Sequence, residues 1–253
     1  MVSIVLNGAC GRMGEEFAKV VKKNSQVAEI VAGVDLKISD RVKCFDFSIS
    51  ENFPNKKVDV IVDFSNPSAL NKILNFAEKN KVAAVLATTG YNKEQIEQIK
   101  KTSKSIPIFF TFNMSIGINL LVNLAKKAAL ALGSRFDVEI IEKHHNQKVD
   151  APSGTALLIA DALNDCADGK LDYVFGRHDV MKKRGKNDIG IHSIRGGNIV
   201  GEHEVIFAGC DEVISMKHVA SSKAIFAQGA FRAAMFIKDK EPGLYDMDDL
   251  IRN

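Results

Sequence analysis

Short apolar runs alternate with helical spacing through the first half of the chain. Val2–Leu6 is apolar over a strand's length, and Gly14–Lys23 repeats its apolar positions at helical intervals. Glu29–Val34 predicts a second strand. Val58–Phe64 predicts a third, followed by a helix over Ser68–Asn80. Val82–Thr88 predicts a fourth, followed by a helix over Lys93–Ser103, and Pro107–Thr111 a fifth. Strands that alternate with helices argue for a parallel, doubly wound sheet.

The pattern then changes. Ile118–Leu132 reads as a long apolar helix, and Phe136–Lys143 as an alternating strand that runs out into two histidines. A helix is predicted from about Thr155 to Cys166. Strand-like runs follow at Ile189–Arg195, Asn198–Ala208 and Glu212–His218, split by Gly196-Gly197 and by Gly209, which suggests antiparallel pairing. A last helix, Ala224–Lys238, carries small residues at Ala227, Gly229, Ala230, Ala233 and Ala234, suited to close packing back onto the first domain. The predicted class is α/β: a Rossmann-type parallel-sheet domain plus an α+β domain with a mixed, largely antiparallel sheet.

Composition narrows the function. The 253 residues suffice for one large or two modest domains. Lys and Arg number 34 against 31 acids, a net charge of +3 without the clustered stripe expected of a nucleic-acid binder. The basic run Met181–Lys186 reads as a solvated loop. Cys10, Cys44, Cys166 and Cys210 form no CxxC pair, so neither a zinc site nor a disulfide framework is expected, and a reducing, cytoplasmic setting fits. No apolar run approaches a membrane span, and the first one reads as a strand, not a signal peptide.

Two segments carry chemistry. Gly8-Ala9-Cys10-Gly11-Arg12-Met13-Gly14 places glycines where a strand would turn into a helix. Such a turn lets a pyrophosphate approach backbone amides at the helix N-terminus. Asp35 closes the second strand about 20 residues on, where a ribose-binding carboxylate is expected. That acid favours NADH, while Arg12 and Lys37 are close enough in sequence to offset repulsion of a 2′-phosphate. The loops after the later strands, Phe64–Pro67, Ala87-Thr88-Thr89-Gly90 and Thr111–Met114, should face the same cofactor.

The second segment is EIIEKHHNQKVDAPSGT, Glu139–Thr155. His144, His145 and Lys148 are expected to leave the strand's end in a loop, and Ser153 to cap a helix whose exposed amides at Gly154 and Thr155 suit a carboxylate. The histidines titrate near neutrality. No metal site is expected from the adjacent histidines. Arg195–His203 is a second candidate, equally readable as a glycine hairpin.

EIIEKHHNQKVDAPSGTAL, with NGACGRMG, ATTGY, RGGNIVGEH, KHVASSKAIFAQGAFRAA and GLYDMDDLI, resembles the 4-hydroxy-tetrahydrodipicolinate (dihydrodipicolinate) reductase family over nearly the whole chain. The resemblance implies reduction of a cyclic imine dicarboxylate with NADH or NADPH in diaminopimelate and lysine synthesis. It implies His144 and Lys148 as the catalytic proton-transfer pair, and His145, Gly154 and Thr155 as substrate ligands. Gly8, Ala9, Cys10, Gly11, Arg12, Met13, Asp35, Ala87, Thr88, Thr89, Asn113 and Met114 would contact the cofactor. It further implies a nucleotide domain of residues 1–114 and 222–253, a substrate and oligomerisation domain of 115–221, and a homotetramer. Cys10 and Ala87 stand where the family commonly has glycine, Lys223 where arginine is common, and Leu36 where some members have an NADPH-favouring arginine. Two rivals remain open: another reductase of a small imino or keto diacid, and a nucleotide-sensing regulator on the same fold.

Overall fold

The computed structural model describes residues 1–37, 45–178 and 181–252; Cys44 lies outside them. The chain divides into two compact units, Met1–Ile116 with Lys223–Asn253, and Gly117–Ser222.

The first unit opens with β1 (Val2–Asn7), α1 (Arg12–Lys23), β2 (Ala28–Val34), β3 (Ile49–Ser50) and β4 (Val60–Asp63). A 3-10 turn at Pro67–Ala69 leads into α2 (Leu70–Asn80), then β5 (Ala83–Leu86), α3 (Lys93–Thr102) and β6 (Pro107–Phe110). The C-terminal segment adds α6 (Ala224–Ile237), β12 (Gly243–Tyr245) and α7 (Met247–Arg252). Among the described residues the strands form one seven-stranded parallel sheet, ordered β12-β6-β5-β4-β1-β2-β3. β4 and β5 are buried at every position, as strands covered on both faces must be. One face packs under α1 and α6 through Phe17, Val21, Ala227, Ala230 and Ala234. The other packs under α2 and α3 through Leu70, Ile73, Leu74 and Ile99. Strand order reverses between β1 and β4, which puts a switch point directly after β1. Ligands of such sheets bind there, outside the carboxyl ends of the strands.

The second unit holds most of α4 (Ile116–Leu132), then β7 (Asp137–His144), α5 (Gly154–Cys166), β8 (Asp172–Phe175), β9 (Asp188–Arg195), β10 (Gly201–Ala208) and β11 (Val213–Ala220). Its mixed sheet runs β11-β10-β7-β9-β8. β10 pairs antiparallel with β7 and β11, while β7 and β8 pair parallel with β9. The strands flanking Gly196-Gly197 are therefore not a hairpin: β7 lies between them. The local glycine signal gave no hint of that third strand. Leu121, Ala125, Ile140, Ala156, Ile159, Val205 and Phe207 close the core under α4 and α5.

The expectation that no apolar run approaches a membrane span is corrected for α4. With the 3-10 turn after it, Ile116–Arg135 is a 20-residue helix long and apolar enough by composition to cross one. Asn119, Asn123, Lys126 and Lys127 break the run as read by eye, but not its average. Two adjacent lysines mid-helix would be costly in hydrocarbon, and Leu121 and Ala125 face a protein core instead.

Candidate active site

In the first unit, β1 ends at Asn7 and the chain turns through Gly8, whose φ is +80°. A Cβ there would lie 2.7 Å from the Phe64 carbonyl, and one at Gly14 would lie 2.4 Å from the Gly8 oxygen. Both positions therefore need glycine so that helix, turn and β4 can close together. Gly11 is the N-cap of α1, and among the described residues no side chain caps that helix, which leaves the N-terminus suited to an anion. Asp35 follows β2. Its carboxylate accepts the backbone N–H of Cys10 and of Lys37, each at 2.9 Å. The structure thus brings the glycine turn and Asp35 together, through a bond to Cys10 that the sequence did not announce. Arg12 is exposed, Ala9 is buried, and Cys10 is a free thiol.

Ala87, Thr88 and Thr89 follow β5, and Asn113 and Met114 follow β6, on the same carboxyl edge of the sheet. Thr88 is buried and Thr89 exposed. Asn113 Oδ1 accepts the Ser115 N–H at 2.8 Å and shapes that loop. The Met114 side chain is 4 % exposed and belongs to the core. Beneath the edge, fully buried Asp63 accepts Asn7 Nδ2 at 2.7 Å, Ser65 Oγ at 2.6 Å and Tyr91 Oη at 3.2 Å. This carboxylate ties the β1, β4 and β5 ends together. An open, uncapped helix end beside an acid held by its own turn fits a dinucleotide.

In the second unit His144 is the last residue of β7, in register with Arg195 of β9, and is only 9 % exposed. The expectation of a loop histidine is corrected, because β9 extends the pairing one residue further. Its Nδ1 lies 2.5 Å from Oε2 of fully buried Glu142. Arg195 grips the same carboxylate with both terminal nitrogens, at 2.8 and 2.6 Å, and also donates to the Asp150 carbonyl at 2.7 Å. The Gly196 N–H donates to the His144 carbonyl at 3.0 Å, and the Asn146 N–H to the Gly197 carbonyl at 3.3 Å. The glycine pair thus holds the histidine loop.

Ser153 caps α5 by accepting the Ala156 N–H, and its Oγ lies 3.1 Å from Nε2 of buried His203. The His203 ring stands edge-on to His144 at 5.2 Å. Nothing would obstruct a side chain at Gly154, so the first turn of α5 is open beside its amides. Lys148 donates to Asp150 Oδ1 at 2.8 Å, and the Gly154 backbone hydrogen-bonds the same carboxylate.

These surroundings shift the titration of His144 from the ordinary histidine value. Burial lowers its pKa first; the hydrogen bond and charge of Glu142 raise it, Lys148 and Arg195 lower it, and the net shift is downward. Burial, then repulsion from His144, drives His203 to about 4. Among the described residues no group of histidines, cysteines and acids could hold a metal.

The fold is one shared with dehydrogenases. GenD2 of gentamicin A biosynthesis, solved in complex with NAD, superposes with a TM-score of 0.63 at 12 % identity, over 99 % of this chain and 90 % of that one. A myo-inositol dehydrogenase from Corynebacterium glutamicum gives 0.57 at 15 % identity, over 100 % and 93 %. The chain belongs to the dihydrodipicolinate reductase family, matching "Dihydrodipicolinate reductase, N-terminus" over residues 2–114 and "Dihydrodipicolinate reductase, C-terminus" over residues 117–251. It is 49 % identical to the 4-hydroxy-tetrahydrodipicolinate reductase of Clostridium tetani, over 100 % of this chain and 98 % of that one. It is 46 % identical to that of Caldanaerobacter subterraneus, over 100 % and 99 %. Dipicolinate-bound dihydrodipicolinate reductase from Paenisporosarcina superposes with a TM-score of 0.80 at 25 % identity, over 97 % of each chain. The chain is an enzyme with 4-hydroxy-tetrahydrodipicolinate reductase activity, in lysine biosynthesis.

Sequence reasoning singled out the glycine turn, Asp35, the histidine loop and the Arg195–His203 segment. It passed over Glu142, Asp150 and Asp63. Glu142 could have been found: two residues before His144 on an alternating strand, it shares a face with it.

Proposed function

We propose that His144 and Lys148 protonate the substrate and that His145, Gly154 and Thr155 hold its carboxylates. In the same reading Gly8–Met13, Asp35, Ala87, Thr88, Thr89, Asn113 and Met114 carry the cofactor, NADH in preference to NADPH. The observation that carries the substrate assignment is Asp150. Its carboxylate rests on the Gly154 backbone, assigned to a substrate carboxylate, and on the Lys148 ammonium beside it, so this corner of the loop already engages a carboxylate.

The nicotinamide, when bound, supplies hydride to the conjugated ring of the substrate. Lys148 exchanges Asp150 for a substrate carboxylate, and the α5 end adds its aligned amides. Burial, and after it the charges of Lys148 and Arg195, hold the His144 pKa down; an incoming dianion opposes the two cations. It favours the protonated ring, so that the proton is recruited together with the substrate. His144 or Lys148 then delivers it where hydride addition leaves electron density, the role of a positioned general acid. Asp35 accepts ribose hydroxyls and repels a 2′-phosphate. A cytoplasmic homotetramer completes the reading. Its support within this chain is the apolar surface left exposed at Leu120, Leu124, Val213 and Val219.

Titration with pyridine-2,6-dicarboxylate and pyridine-2-carboxylate tests the clamp in wild type, Lys148→Ala and Thr155→Val. The dicarboxylate should bind better by tenfold or more, at about 0.3–2 kcal/mol per contact, and each variant should narrow that ratio. Lys148→Ala should also lower kcat by about 10²–10⁴-fold with NADH affinity intact. Equal binding of the two ligands to wild type would remove the loop from this role.

A further inference from the structure

Glu142 is buried without exposed surface, and its two oxygens are shared among several donors. Oε2 faces His144 Nδ1 at 2.5 Å and accepts Arg195 Nη1 at 2.8 Å. Oε1 accepts Arg195 Nη2 at 2.6 Å and the Ser153 backbone N–H at 3.1 Å. Ser153 is the N-cap of α5. One carboxylate therefore touches the histidine assigned to proton transfer and the cap of the helix assigned to substrate carboxylates.

We infer that Glu142 is a positioning residue for this reaction, fixing the tautomer and orientation of His144 and anchoring the start of α5 to the same point. The inference rests on the reading of His144 as a proton donor. Glu142 and His144, two apart on β7, project from one face of the strand. An ionised carboxylate only accepts hydrogen bonds, so the nitrogen facing it carries a proton, and Nε2 is turned the other way. Arg195 makes this arrangement possible. A lone buried carboxylate is expensive, whereas one held bidentately by a guanidinium is compensated. Burial pushes the Glu142 carboxyl up, but hydrogen bonds from Arg195, His144 and Ser193 outweigh it and hold the group at about 2. It remains ionised throughout the working range.

The opposite edge of the ring is kept clear by an absence. A Cβ on Gly201 of β10 would lie 3.1 Å from His144 Nε2, closer than such contacts usually come. Glycine there leaves Nε2 room that alanine would take. The charged and titratable groups around the ring are Glu142 on its own strand, Arg195 on β9, His203 on β10 and Lys148 in the following loop. Glu142 is the only one of these four that favours the protonated ring. Removing its charge leaves burial and the cations unopposed, and lowers the His144 pKa further.

The test is nitrogen-15 NMR of histidine-labelled wild type, Glu142→Gln and Glu142→Asp, alongside kcat–pH profiles and NADH affinity. In wild type the neutral His144 ring should carry its proton on Nδ1. In Glu142→Gln the amide can donate to that nitrogen, so the Nδ1-H population should collapse and the titration midpoint fall. The basic limb of the kcat profile should move to lower pH, and kcat should drop by tenfold or more with NADH affinity unchanged. Glu142→Asp keeps the charge but withdraws it by one methylene; it should restore part of the Nδ1-H population and part of kcat. If Glu142→Gln does not fold, the aspartate variant carries the same readout against wild type. A wild-type tautomer and midpoint in every folded variant overturns the inference. If His144 changes as stated while kcat remains at wild type, Glu142 does hold the ring, and it is the donor role of His144 that fails.

Discussion

Gly229→Ala tests the packing that closes the nucleotide unit. Gly229 lies in α6, and a Cβ on it would sit 1.7 Å from the Met114 carbonyl oxygen and 2.9 Å from its carbon. Even close C–H···O contacts keep C and O about 3.3 Å apart, so helix and loop would have to separate by about 1.5 Å. The obstacle is backbone, which cannot rotate away. Ala227, Ala230, Ala233, Ala234 and Ile237 are all at 0 % exposure on the same helix, so any displacement unpacks them too. Glycine-to-alanine in an ordinary helix interior stabilises by about 0.5–1 kcal/mol, whereas overpacking costs about 1–3 kcal/mol and occasionally more. The severity of this clash puts the net at about 2 kcal/mol or more of destabilisation. For a chain of this size about 1 kcal/mol shifts Tm by roughly 2–4 °C, so Tm should fall by about 4–8 °C or more. Thermal melts by circular dichroism, without nucleotide and at matched protein concentration, read this directly. A variant melting at or above wild type would refute the close approach of α6 to Met114.

Asp35→Ala should weaken NADH binding and narrow or reverse any preference over NADPH, since it removes ribose acceptors and a repulsive charge together; fluorescence titration with both cofactors decides, and an unchanged NADH affinity would place the ribose elsewhere. His203 should make the protein acid-sensitive. Its folded pKa of about 4 lies below the ordinary 6.5, so the unfolded chain takes up the proton first and stability is lost as pH falls from about 6.5 towards 4. At ~1.4 kcal/mol per pH unit the loss is up to roughly 3 kcal/mol. Urea unfolding at pH 7.0 and 4.5 should show His203→Asn with a much smaller difference than wild type; an equal difference would assign the acid sensitivity to other groups.

The nucleotide unit was legible because its signals are local. Continuous apolar runs, helical spacing and a glycine turn each declare themselves within a dozen residues. The two-residue β3, the short β12 and α7 fell below what periodicity resolves. β8 (Asp172–Phe175) is half-exposed and carries no alternation to read. The second sheet was legible in its strands but not in its order. Gly196-Gly197 looks the same whether the flanking strands pair with each other or with β7 between them, because only the long-range partner distinguishes the two. His144, Lys148 and the α5 start were visible as residue types that bear chemistry. Glu142 and Asp150 were passed over: the spacing from His144 pointed to Glu142, but a carboxylate on a strand or in a loop is usually solvated, and the arrival of Arg195 and Lys148 gives these two their meaning.

The order of synthesis follows from where α6 comes in the chain. The nucleotide sheet begins at Val2, yet α6, β12 and α7, which complete its unit, are made only after the whole of the second unit. Until they emerge, the apolar face built from Val60, Val62, Ala83 and Val85 lacks the helix that shares its core. The second unit, Gly117–Ser222, is by contrast one uninterrupted stretch. At about 5–20 residues per second, the half-covered sheet waits about 6–24 s between completion of the first stretch and release of α6. A nascent chain of this protein is therefore most exposed to chaperones and to misassembly in the unit whose sequence is split around the other. A message truncated shortly after residue 222 would yield a closed second unit joined to an open nucleotide unit.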